Sequence, residues 1–157
     1  MGDGAPDYFQ PEGGVVLTHL LIVRDVDRSR EFYRRVLGAT VVRERQPAIL
    51  RFHNSYIVIN DEGGPTDDKP TVRAQAPADS DTLSGAINIR VTDVHAVYER
   101  WRARGGEFLT APKDHGVEIR CYLRDPDGYL IEVGQATGIL AEQGRVAGPG
   151  DAGRTAA

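Results

Sequence analysis

The feature that most constrains this chain is a repeat. The stretch THLLIVRDVDRSREFYRRVLGA, starting at Thr18, is echoed by AINIRVTDVHAVYERWRARGGE, starting at Ala86. Each copy reads as an apolar strand, a Val-x-Asp-Val junction, an amphipathic helix and a glycine stop. Self-similarity of this kind means that one supersecondary unit is used twice, and any fold has to accommodate both copies. Asp25 aligns with Asp93, Val26 with Val94 and Tyr33 with Trp101. Each Asp is placed to cap a helix, its carboxylate accepting the N–H groups that the first turn leaves unpaired. Gly38 and Gly105 can take the left-handed conformation that ends a helix. Val94, Val97, Tyr98 and Trp101 fall on one face at helical spacing, and Val26, Phe32, Tyr33, Val36 and Leu37 do the same in the first copy.

Three strand-like runs follow each helix: about 39–44, 47–53 and 56–60, then about 107–110, 117–124 and 129–134. FHNSY and RDPDGY read as hairpin turns, with Gly128 supplying a positive φ. The expected domain is 15–136, made of modules 15–60 and 85–136. The linker 61–84 is too rich in Pro and Gly for regular structure, and a loop of that length is often functional. Residues 1–14 read as a flexible segment and 137–157 as a disordered tail.

Bulk properties narrow the function. The chain has 157 residues, 40% of them apolar and 27% charged, which suits one soluble domain with a real core. No apolar run reaches the ~20 residues needed to cross a bilayer, and no secretory signal opens the chain. The net charge of −4 argues against nucleic acid as a partner. The single cysteine, Cys121, rules out an internal disulfide and fits a cytoplasmic protein.

A doubled β-α-β-β-β unit in which RDPDGYLIEVG closes the second copy resembles the vicinal oxygen chelate superfamily. That group holds glyoxalase I, extradiol dioxygenases, fosfomycin-resistance transferases, methylmalonyl-CoA epimerase and bleomycin-binding resistance proteins. The resemblance covers about Val15 to Gln135. It implies an α+β fold in which two βαβββ modules form a half-open barrel around a cavity, and it implies a homodimer. Enzymes of the group hold a divalent metal with ligands from four strands. The last of those positions falls on Glu132. The third falls on Ala86 and the first on Thr18, with His19 as its neighbour; the second falls near Ile59 or Asn60. His19 and Glu132 are therefore the metal ligands if a metal is bound (Fe, Zn, Mn, Ni or Co), with a bulge needed to turn His19 inward. Alanine has no donor, and catalytic zinc sites usually take three protein ligands. No cofactor is favoured.

A carboxylate flanked by Ile131 and Val133 still needs a partner. Strand alternation suggests one. If Ala86 points inward, so do Asn88 and Arg90; if Glu132 does, its hairpin partner sends in Glu118, Arg120 and Tyr122. The ligand-binding candidates are then Asn88, Arg90, Arg120 and Tyr122, with Glu132 expected to pair with Arg90 or Arg120. Two arginines would favour a ligand of carboxylate, phosphate or enolate character. Candidate catalytic groups are Glu132, Tyr122 and His115, the last in the loop entering a wall strand. Cys121 faces the core by the same alternation and should be inert. Two functional classes follow. One is a small-molecule-binding protein with a degenerate metal site, in the manner of the drug-binding members. The other is a lyase, isomerase or dioxygenase, either metal-dependent through His19 and Glu132 or cofactor-free.

Overall fold

The computed structural model describes residue 9 and residues 14–138. Most of the expected flexible segment 1–14 and of the expected tail 137–157 lies outside the described residues. The elements are β1 (Thr18–Val23), α1 (Val26–Phe32), a π-helical turn (Tyr33–Leu37), β2 (Thr40–Arg43), β3 (Ala48–Phe52) and β4 (Ser55–Asp61). The second half supplies β5 (Ile87–Arg90), α2 (Val94–Ala103), β6 (Glu107–Phe108), β7 (Lys113–Asp114), β8 (Glu118–Arg124) and β9 (Leu130–Ala136). The first half makes a sheet of order β1-β4-β3-β2; the second repeats it as β5-β9-β8-β6, with β7 also on β8. In each sheet the strand before the helix lies parallel to the last strand, and the rest are antiparallel. The fold is α+β with two βαβββ modules. Among the described residues the two sheets do not pair with each other, and no closed barrel forms.

Local chemistry sets the helices. Asp25 accepts a hydrogen bond from the Arg28 N–H at 3.0 Å, and Asp93 one from the Ala96 N–H at 2.9 Å. Both are the caps read from the repeat. The first helix departs from expectation: its last turn widens to π geometry, with the Gly38 N–H reaching the Tyr33 carbonyl, and stops at Gly38 with φ 84°. A left-handed stop of this kind suits the residue without a Cβ. The expected strand 107–110 is shortened to β6, and β7 follows beyond it as a strand the sequence reading did not place. Pro112, which has no N–H for a ladder, stands in the gap. The linker holds only isolated bridges, Gly63 with Ala74 and Thr66 with Lys69.

One core joins the halves. Leu21, Leu50 and Ile59 from the first sheet share one cluster with Val94 of α2 and with Leu123 and Ile131 from the second sheet. Full burial of such side chains stabilises by about 1.5–3 kcal/mol each. Polar groups hold the same seam. The DPDG turn of the second half docks on the first helix: Asp127 accepts from the Arg24 N–H (3.1 Å), the Arg24 guanidinium (3.2 Å) and the Ser29 hydroxyl (3.0 Å). Asp125 accepts from the Tyr33 hydroxyl at 2.9 Å and from the N–H groups of Asp127 and Tyr129. Burial pushes its carboxyl up to about 6, against the pull of those donors. Gly128, at φ 93°, closes the turn.

Candidate functional site

The face of the second sheet away from the core carries the site. Strand β9 lies between β5 and β8, so its register sets up rows across three strands. Asn88, Glu132 and Tyr122 form one row. Arg90, Gly134 and Arg120 form the next, and Glu118 lies opposite Ala136 in a third. Cys121, Leu123, Ile131 and Val133 alternate with these residues and are buried in the core. The polar side chains therefore share the outward face, as period-two alternation demands.

Glu132 sits in the middle of its row and is held from both sides. Asn88 Nδ2 donates to Oε1 at 2.5 Å, and the Tyr122 hydroxyl donates to Oε2. The expected ion pair is made with Arg90, as a longer contact than these two bonds. Arg90 comes only to 3.7 Å of Oε1, and Arg120 turns to another carboxylate. That carboxylate is Glu118, which receives Arg90 at 2.9 Å and Arg120 at 2.6 Å. The two guanidinium hydrogen bonds, Arg90 first, hold Glu118 below the usual carboxylate range. The bond to Glu132, then burial, holds the Tyr122 phenol above its ordinary value.

Gly134 makes the crossing possible. Arg90 starts on β5 and has to pass over β9 to reach Glu118 on β8. A Cβ at 134 would lie 2.9 Å from the Arg90 Cζ and closer still to its Nη1. The absent side chain leaves a lane through the second row. Glu118 and Gly134 were the members of the site that sequence reasoning did not nominate as ligand contacts. Glu118 carried a signal, since it shares the parity of Arg120 and Tyr122; the role of Gly134 depends on pairing across strands.

The other candidates lie elsewhere. His19 shares the face of Leu21 and Val23, and burial lowers its pKa. The β1–β4 register runs without a shift, so no bulge turns His19 toward the opposite face. His115 is exposed in the turn between β7 and β8; its backbone N–H bonds the Glu118 carbonyl, and its ring makes no hydrogen bond among the described residues. Burial raises the Cys121 thiol to about 11, which keeps it protonated.

The donor set does not suit a metal. Of the four positions the resemblance indicates, Glu132 alone offers a carboxylate; Thr18 offers an alcohol, Ala86 no donor, and the remaining position either Ile59, which is in the core, or the neutral amide of Asn60. Among the described residues no group of three or more His, Cys, Asp or Glu side chains is placed to hold an ion. The arrangement can do something else. Two arginines and two glutamates balance in charge, and each guanidinium meets its carboxylates through Nη1 alone among the described residues. The remaining N–H groups suit oxygen-bearing ligands, without the net positive charge that two lone arginines would have given.

Comparison with known proteins decides the family. The model of the Glyoxalase/Bleomycin resistance protein/Dioxygenase superfamily matches residues 16–133. The chain belongs to this superfamily. A lactoylglutathione lyase of Neisseria meningitidis is 29% identical over 120 residues, which cover 74% of this chain and 87% of the relative. A lactoylglutathione lyase of Haemophilus influenzae is 30% identical over 120 residues, covering 74% and 89%. Among solved structures, a glyoxalase/bleomycin resistance protein/dioxygenase from Alicyclobacillus acidocaldarius superposes with a TM-score of 0.64 at 18% identity, over 82% of this chain and 96% of its own. Members of the superfamily thus share the doubled module, and the polar rows are how this chain furnishes it.

Proposed function

We propose that the protein is a small-molecule-binding member of the superfamily that holds an oxygen-bearing organic ligand against Asn88, Arg90, Arg120 and Tyr122 without a resident metal. The observation that carries this reading is the state of Glu132, whose two oxygens already accept hydrogen bonds from Asn88 and Tyr122. Tyr122 and Glu132 are also placed for proton exchange with a bound ligand, and Arg90 and Arg120 for holding oxyanion character on it. The protein works in the cytoplasm as a homodimer; the exposed Val15, Leu17 and Leu20 beside the first sheet support a covered face.

The test is the metal content of protein purified without chelator, by elemental mass spectrometry, for the wild type and Glu132→Ala. The expected result is far less than one equivalent of Fe, Zn, Mn, Ni or Co in both. Near one equivalent in the wild type, lost in Glu132→Ala, would sink the reading. It would favour the second one, a metal-dependent lyase, which the names of the relatives support. That reading requires further ligands to come from outside the rows.

A further inference from the structure

The linker is a built wall. Four anchors hold 76–81 against the turn end of the second sheet. Ala76 is buried. Arg24 donates to the Pro77 carbonyl at 2.6 Å. Arg124 donates to the Ser80 carbonyl and, at 2.6 Å, to Asp81. Gly128 admits Ser80, whose Cβ would lie 2.7 Å from a Cβ placed at 128. Arg124 and Leu130 pair in the row that precedes Tyr122 and Glu132, so this wall rises from the same face as the polar site.

Between wall and sheet lies a cavity of about 410 Å³, within the range of small-molecule pockets. Its apolar lining comes from Pro77, Ala78, Leu83, Tyr129 and Leu130. Leu83 is 52% exposed, with no reason in the core to be a leucine. The charged group in the lining is Asp79, whose oxygens accept from the Asp81 N–H (2.9 Å) and the Thr82 hydroxyl (2.5 Å). Those bonds, the Thr82 hydroxyl first, hold its carboxyl below the usual range, so it is ionised at neutral pH. The nearby cation, Arg124, is turned to Asp81 and the Ser80 carbonyl.

We infer that this cavity is a second subsite for the same ligand, and that it takes an apolar arm bearing an ammonium group. The inference rests on the proposed function. The ligand places an oxygen-bearing head on Asn88 and Tyr122, an apolar body on Leu130 and Leu83, and its cation at Asp79. The rows are two strand residues apart, roughly 7 Å, so a single molecule spans them. Asp79 attracts the cation and repels an anionic arm of the same shape.

The experiment follows amide proton–nitrogen correlation spectra of the full chain during titration with phenethylamine and, separately, hydrocinnamate. These probes share a ring and an ethylene spacer and differ in charge. Phenethylamine is expected to shift the amides of Leu83, Ser84, Gly128 and Leu130 saturably, with hydrocinnamate at least about tenfold weaker. Asp79→Asn, a change in an exposed loop, should remove that preference, and Leu83→Ser should weaken both probes roughly tenfold. Absence of saturable shifts at these amides, equal binding of the two probes, or a preference that survives Asp79→Asn would each overturn the subsite. Metal content is read on the same preparation. A loaded metal with an intact amine preference would reject the metal-free reading and leave the subsite standing; a metal-free protein without the preference would do the reverse.

Discussion

The two halves of the molecule share a topology and differ in what they present. Both sheets turn an apolar face to the common core. On the opposite face the first sheet shows Leu20 and Ile22 on β1, with Val58 and Asn60 as their partners on β4. The second shows Asn88, Glu132 and Tyr122, then Arg90 and Arg120 around Gly134. The hairpin turns differ as well. The turn at His53 is exposed, whereas the DPDG turn sinks Asp125 and Asp127 into the seam between the halves. A duplicated module thus keeps its core pattern, because one residue of error there would turn every core side chain outward. Its outer face and turns are free to diverge. Chemistry gathers on one copy and attachment on one turn.

The largest test of this contrast is at the seam. Asp127→Ala strands the Ser29 hydroxyl and the Arg24 N–H, and should destabilise the protein by about 3 kcal/mol in urea unfolding. His53→Ala, at the equivalent turn, should change stability by less than about 0.5 kcal/mol. Equal losses would break the asymmetry.

The next effect depends on pH. Asp125 titrates at about 6 in the folded protein against an ordinary value of 3.8. The folded state therefore holds this proton more tightly than the unfolded state. The stability it contributes is complete below about pH 4 and is lost as pH rises through about 6, by at most about 3 kcal/mol. Asp125→Asn should flatten that decline in denaturation curves taken across the interval. Parallel curves for wild type and variant would show that another group carries the proton.

The smallest effects compare the outer faces. A double-mutant cycle of Tyr122→Phe and Glu132→Gln should give a coupling of about 1 kcal/mol. Leu20→Asn, on the outer face of the first sheet, should leave the monomer's own stability within about 0.5 kcal/mol and weaken self-association in sedimentation. A coupling near zero would mean that Glu132 has its main partner elsewhere, and unchanged self-association in Leu20→Asn would mean that the first face is not the dimer face.

The sequence by itself determined the doubled module, the caps at Asp25 and Asp93, the DPDG turn and the shared face of Asn88, Arg90, Arg120, Tyr122 and Glu132, opposite the core. These are local or periodic properties: a cap needs three residues, a turn four, and strand alternation has a period of two. Even the short strand β7 after Pro112 was local, although it was missed. Only the tertiary structure decided which partner each polar group found. The row Asn88–Glu132–Tyr122 exists because β5 lies parallel to β9 in one register, with Asn88 and Glu132 44 positions apart in the chain. Parity can state that an arginine and a glutamate share a face; it cannot state which row each occupies. Pairing by charge alone therefore found Arg90 beside Glu132 at 3.7 Å, but not the lane over Gly134 that leads it on to a hydrogen bond with Glu118. The wall built by the linker was hidden for the same reason, since its anchors Arg24, Arg124 and Gly128 come from distant parts of the chain.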